Sequence, residues 1–110
     1  MKIRPGTAEL RAVSRVAFGQ AHRLELMLAV MASEDGLCTL TELARRLNVT
    51  MSSLQRPFQA LVDLGLLTEL PDTGTRFRYY ARNPSSAWQW AADLSATVGA
   101  AVVDAADRSA

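Results

Sequence analysis

The side chains best suited to chemistry in this sequence lie in one polar run that starts at Thr50. Its hydroxyls, carboxamides and guanidinium are hydrogen-bonding groups, and they can bind phosphate oxygens or the edges of nucleic-acid bases. Arginine in such a run can contact guanine through two hydrogen bonds. The candidate contacts are Thr50, Ser52, Ser53, Gln55, Arg56 and Gln59.

A second set of candidate contacts surrounds a turn. Pro71 to Gly74 has the composition of a hairpin tip, and strands are predicted over Leu66–Leu70 and Arg76–Ala81 on either side. Arginines next to such a tip can bind phosphates or enter a minor groove. The candidates here are Thr73, Thr75, Arg76 and Arg78.

Composition limits the class of protein. The 110 residues fit a single domain, and the net charge of +1 does not by itself indicate a nucleic-acid partner. Residues 39–82, however, contain six arginines against four acidic residues. No apolar run is long enough to span a membrane, and the single cysteine agrees with a reducing compartment, so we expect a cytoplasmic protein without a membrane partner.

Hydrophobic periodicity predicts the elements that position these side chains. Amphipathic helices are expected over Thr7–Phe18 and Ala21–Ser33. Thr39 and Glu42 have the spacing of a capping box, which predicts a third helix from Leu40. Asn48 is expected to form a left-handed turn after this helix. Thr50 is expected to cap a fourth helix. The residues of that helix that face inward are Leu54, Phe58, Leu61 and Leu64.

The last predicted helix is rich in alanine and runs from Ser85 or Ser86 to about Asp107. Trp88 and Trp90 lie about 200° apart on it, so we expect one to pack on the body and the other to meet a partner chain. A stripe of small residues on this helix and apolar residues of the first helix form the predicted dimer interface, which comprises Leu10, Val13, Trp88, Ala91, Ser95, Val98 and Val102. A ligand pocket between these helices is the alternative.

Two segments together, GQAHRLELMLAVM and LTELARRLNVTMSSLQRPFQALVDLGLL followed by the hairpin, resemble ArsR-like winged helix-turn-helix regulators and, more distantly, MarR-like proteins. The resemblance implies a mainly α fold with a small β hairpin, about five helices and long terminal helices for dimerisation. It divides residues 1–110 into N-terminal helices (7–33), a helix-turn-helix (39–64), a wing (66–82) and a dimerisation helix (85–107). In that family the second helix of the motif enters the major groove of DNA.

Metal sensing, which is common among ArsR-like proteins, is not expected here. The positions where that family has ligands on the third helix hold Ala44 and Arg46, and the last helix has no histidine or cysteine. We therefore expect neither a metal nor another cofactor. Cys38 is interpreted as a small core residue, with a thiol switch as the alternative.

Pro57 departs from the family pattern, because it removes a backbone donor inside the recognition helix and can kink it. It either re-aims the residues before it or is a tolerated kink without functional meaning.

The sequence therefore predicts no enzyme but a homodimeric regulator that binds specific double-stranded DNA and represses transcription. Two alternatives stay open. One is a winged helix used only for protein interaction, and the other is a regulator that responds to a small organic effector.

Overall fold

The computed structural model describes residues 6–71, 74 and 76–109, with side chains described as far as residue 98. Thr73 and Thr75 lie outside the described residues, as does the side chain of Val102. The elements in chain order are α1 (Thr7–Phe18), α2 (Arg23–Met31), β1 (Leu37–Cys38), α3 (Leu40–Leu47), α4 (Met51–Asp63), β2 (Leu67–Glu69), β3 (Tyr80–Arg82) and α5 (Ser86–Ser109). This mainly α winged-helix architecture confirms the predicted fold class.

Helix α2 forms the centre of the core. Leu24, Leu26 and Val30 are fully buried in it, which agrees with its largely apolar sequence. The helix is shorter than the predicted Ala21–Ser33. Ser14 explains the late start, because its hydroxyl donates to the carbonyl of Gln20 and accepts from the amide of Leu24. At the other end the chain leaves α2 through a 3-10 turn over Glu34–Gly36.

A buried carboxylate joins the first two helices. Glu25 of α2 is only 6% exposed and accepts hydrogen bonds from Nε of Arg11 at 3.0 Å and from Nδ1 of His22 at 2.5 Å. Since a buried carboxylate without partners is costly, both contacts stabilise Glu25, and the one with Arg11 holds α1 on α2.

The helix-turn-helix is defined by three local residues. Thr39 caps α3 by accepting from the amide of Glu42 at 3.1 Å, while the Glu42 carboxylate pairs with Arg45 instead of closing the capping box. Asn48 has φ 55° and ψ 46°, the left-handed conformation that asparagine tolerates. Thr50 caps α4 by accepting from the amide of Ser53. The predicted threonine caps and the left-handed turn are confirmed, whereas the reciprocal bond from Glu42 in the predicted capping box does not form.

Helix α4 is anchored by Leu54, Phe58 and Leu61, which are buried as predicted. The inward assignment of Leu64 is wrong, since its side chain is 66% exposed. The chain leaves α4 just before it, and Leu66 is buried instead. Pro57 is fully buried, and α4 runs through it from Met51 to Asp63.

The sheet has the order β1-β3-β2 and is antiparallel throughout. Its strands are shorter than predicted, and residues 76–79 lie outside β3. Phe77 and Tyr79 are 46% and 38% exposed, so their alternation with polar residues does not mark a buried strand face. Beyond β2 the pairing is extended by a bond from the amide of Leu70 to the carbonyl of Tyr79.

Asn83 joins the base of this hairpin to α5. Its side-chain amide donates to the carbonyl of Gly65 at 2.7 Å and to the hydroxyl of Thr68 at 2.8 Å. Its own carbonyl accepts from Nε1 of Trp88 at 2.8 Å. One side chain and one carbonyl therefore link the end of α4, β2 and the first turn of α5.

The two tryptophans of α5 differ in burial, as their spacing on the helix predicts. Trp88 is buried, whereas Trp90 is 47% exposed and packs edge-on against Phe18 with ring centroids 5.0 Å apart. Ala91 and Val98 are also buried within the chain, so these two residues and Trp88 present little surface to a partner. None of the helices within the described ranges is long and apolar enough to cross a membrane.

Candidate nucleic-acid interface

A groove of about 630 Å³ lies between α4 and the hairpin. One wall comes from the exposed face of α4 and the start of α3, and the other from the chain leading into β3. The groove brings together five of the predicted contacts, namely Gln55, Arg56, Gln59, Arg76 and Arg78. Residues from two separate sequence regions therefore share one concave surface.

The hydroxyl-bearing candidates form a separate cluster at the start of α4. Oγ1 of Thr50 lies 3.1 Å from Oγ of Ser52 and 2.7 Å from Oγ of Ser53. Because Thr50 also caps the helix, its hydroxyl has a structural role at this position. The cluster is at the helix N-terminus, where backbone amides favour an anion such as phosphate.

Two of the groove side chains already have partners. Nε2 of Gln59 donates to Oδ1 of Asp63 at 2.9 Å, one helical turn further along α4. Nη1 of Arg78 lies 3.6 Å from Oε1 of Glu69 across the hairpin, and this pair is highly exposed. An exposed ion pair of this kind contributes little stability, so Arg78 can exchange Glu69 for a phosphate at low cost.

Not every arginine between residues 39 and 82 contributes positive charge to the groove. Nη1 of Arg82 donates to the carbonyl of Met31 at 2.8 Å and to that of Val30 at 3.3 Å. Arg82 thus binds the C-terminal end of α2, where a cation is favoured. The arginines that line the groove are Arg56, Arg76 and Arg78.

Apolar groups in the groove were missed as contacts. Met51 and Phe77 are each nearly half exposed on its walls, and Phe58 packs edge-on against Tyr80 with centroids 4.7 Å apart beneath them. The alternating pattern assigned Phe77 to a strand, which hid its exposure. Met51 carried a usable signal, since it is the first residue after the cap of α4.

Cys38 lies in β1 opposite Tyr80 and is buried. Burial raises the pKa of its thiol from 9.0 to about 11, although Arg82 acts in the opposite direction. A thiol that stays protonated at neutral pH is a poor nucleophile and a poor metal ligand. Within the described part of the chain, no three histidine, cysteine or acidic side chains form a group able to hold a metal ion.

Residues 18–69 match the family model of a helix-turn-helix domain. The match covers α2, α3, α4 and β2, and therefore the helical wall of the groove. No curated protein matches the sequence.

Solved structures of transcriptional regulators share the fold. The chain is similar to MepR, a regulator of the multidrug efflux pump MepA from Staphylococcus aureus, with a TM-score of 0.68 and 11% identity over 93% of this chain and 74% of that one. A MarR-family regulator from Silicibacter pomeroyi gives a TM-score of 0.63 and 23% identity over 89% and 64%. A cysteine-to-serine mutant of MarR from E. coli, complexed with operator DNA, gives a TM-score of 0.54 and 17% identity over 84% and 61%.

The chain thus spans between about three fifths and three quarters of the length of these structures. The helix-turn-helix match and the winged-helix fold are shared with these solved transcriptional regulators. The expected winged helix-turn-helix is confirmed, and the finer ArsR-like assignment stays a prediction.

Proposed function

We propose that the protein is a homodimeric transcriptional regulator that binds specific double-stranded DNA and represses transcription by occluding the promoter. The observation that carries this proposal is the groove, which places the polar face of α4 opposite Arg76 and Arg78. A major groove admits an α-helix, and cations beside it can bind the flanking phosphates.

The proposed docking uses each part of the surface differently. Helix α4 enters the major groove with Gln55 and Arg56 toward the base edges. Arg76 and Arg78 follow the backbone or the adjacent minor groove, and the hydroxyls at the start of α4 face a phosphate. The similarity to MarR, whose structure was solved with operator DNA, supports this mode.

The proposed dimer uses α1 and α5, which pack against each other. Since Trp88, Ala91 and Val98 are buried within the chain, we assign the contact to residues with free surface. Leu10, Val13 and Ser95 are half-buried, and Val16 of α1 is 90% exposed. Two copies of α4 would then read an inverted repeat with half-sites one helical turn apart.

Fluorescence anisotropy with labelled genomic fragments tests the proposal, after sedimentation has shown that the sample is a dimer. We expect binding at low salt that weakens steeply as salt is added. The reason is that the arginines displace salt cations from the DNA phosphates, and the release of these cations is less favourable at high salt. The double variant Arg76→Ala/Arg78→Ala should lose affinity about equally for all sequences. The double variant Arg45→Ala/Arg46→Ala, which also removes two exposed cations but from α3, serves as the charge-matched control. A confirmed dimer that binds no fragment at low salt would exclude the DNA-binding function.

A winged helix that binds only protein is the second candidate. The half-exposed Met51 and Phe77 on the groove walls favour it, because exposed apolar side chains are common at protein interfaces. It predicts that the groove variants leave DNA affinity unaffected. A regulator that responds to a small organic ligand near Trp88 or Trp90 is the remaining alternative, and tryptophan fluorescence against metabolite sets tests it.

A further inference from the structure

The polar side chains on the exposed face of α4 fall into two groups. In the first group each side chain already forms one intramolecular hydrogen bond, because the Ser52 and Ser53 hydroxyls bind Thr50 and the Gln59 amide binds Asp63. These bonds fix the orientation of the side chains and leave each with only part of its hydrogen-bonding capacity for a base.

The second group consists of Gln55 and Arg56. Both are exposed and line the groove. Among the residues that the structure describes, neither the Gln55 carboxamide nor the Arg56 guanidinium forms a hydrogen bond or ion pair.

Their positions on the helix suit base contacts. Gln55 continues the stripe from Met51 to Gln59 at helical spacing, and this stripe faces the hairpin across the groove. Arg56 is the next residue, about 100° around the helix and 1.5 Å along it. Both side chains are long and line the same groove, so they can reach base edges within the same few base pairs.

We propose that Gln55 and Arg56 are the base-reading pair of this protein, with Arg56 contacting a guanine and Gln55 an adenine on neighbouring base pairs of each half-site. The inference rests on the proposed DNA-binding function. The chemistry follows from the side chains, since a guanidinium matches the two acceptors of guanine, and a carboxamide matches the donor and acceptor of adenine. Ser52, Ser53 and Gln59 then shape the helix surface or bind phosphate without selecting a base.

Selection of bound sequences from a random double-stranded library, carried out in parallel with wild type and variants, tests the assignment. Wild type should enrich a half-site with adjacent A and G, and changing either base should weaken binding about 5- to 150-fold. Gln55→Ala should lose the preference at the adenine only, and Arg56→Ala at the guanine only. Circular dichroism checks that these surface variants fold.

Arg56→Lys and Arg45→Ala separate base reading from charge. Lysine keeps the positive charge but lacks the planar fork, so Arg56→Lys should retain most of the affinity and lose most of the guanine preference. Arg45→Ala removes one cation outside the groove and should leave both base preferences unchanged.

The outcomes distinguish the two levels of the proposal. If wild type selects a motif that Gln55→Ala and Arg56→Ala leave intact, the pair does not read bases, although the protein binds DNA. If wild type enriches no sequence and binds no DNA at low salt, the proposed function itself fails.

Discussion

Replacing Arg82 with methionine should destabilise the whole fold, although Arg82 is neither fully buried nor part of the groove. The guanidinium donates to the carbonyls of Val30 and Met31 at the end of α2 from a position in the central strand. A hydrogen bond from a charged group contributes about 1.5 to 3 kcal/mol. The 3.3 Å bond adds less than the 2.8 Å bond, and the cation also interacts favourably with the helix end. We therefore expect a loss of about 2 to 3 kcal/mol.

Urea denaturation followed by circular dichroism measures this loss. With an unfolding entropy of about 2.1 cal/mol/K per residue, the loss corresponds to a fall in Tm of roughly 9 to 13 °C for a chain of this length. Arg76→Met is the matched control, since it removes an exposed arginine and should change the free energy of unfolding by less than about 0.5 kcal/mol. If Arg82→Met and Arg76→Met proved equally stable, the contact between Arg82 and α2 would have no energetic role.

Three further outcomes are expected. Thr50→Ala removes the cap of α4 and should cost about 1 kcal/mol in denaturation, whereas Ser52→Ala should cost a few tenths; equal losses would contradict the capping role. Leu54→Ala opens a cavity at a fully buried position and should cost about 2 to 5 kcal/mol, and a smaller loss would mean that α3 and α4 close over the gap. Burial raises the pKa of the Cys38 thiol from 9.0 to about 11. The buried, protonated thiol therefore contributes its full stability below pH 9, and this contribution is lost as pH rises to about 11. Wild type should thus lose stability relative to Cys38→Ala over that range, and parallel pH curves would exclude this.

The parts of the fold that the sequence predicted are those held by local interactions. Thr39, Asn48 and Thr50 each act within four residues of their own position, so residue type and spacing are sufficient to identify them. The wing was predicted only in outline. Its strand lengths and its pairing with β1 depend on which faces are buried, and a short alternating pattern does not contain that information.

In the candidate site, too, the sequence predicted the features set by local spacing but not those set by contacts between distant residues. Sequence patterns placed Gln55 and Arg56 on a helix and Arg76 in a hairpin, and the structure brings these two elements together at one groove. The patterns could not show which side chains form hydrogen bonds within the protein. Arg82 illustrates this, because its partners lie more than fifty residues earlier in the chain, and no local signal distinguishes it from a surface arginine.

The position of Asn83 has a consequence for engineering. Since its contacts with Gly65, Thr68 and Trp88 hold the hairpin at its base, we expect this base to keep its geometry when the chain between Leu70 and Tyr79 is replaced by a loop of another length. Under the proposed function, such loops would change the span of DNA covered while Gln55 and Arg56 stay in place on α4.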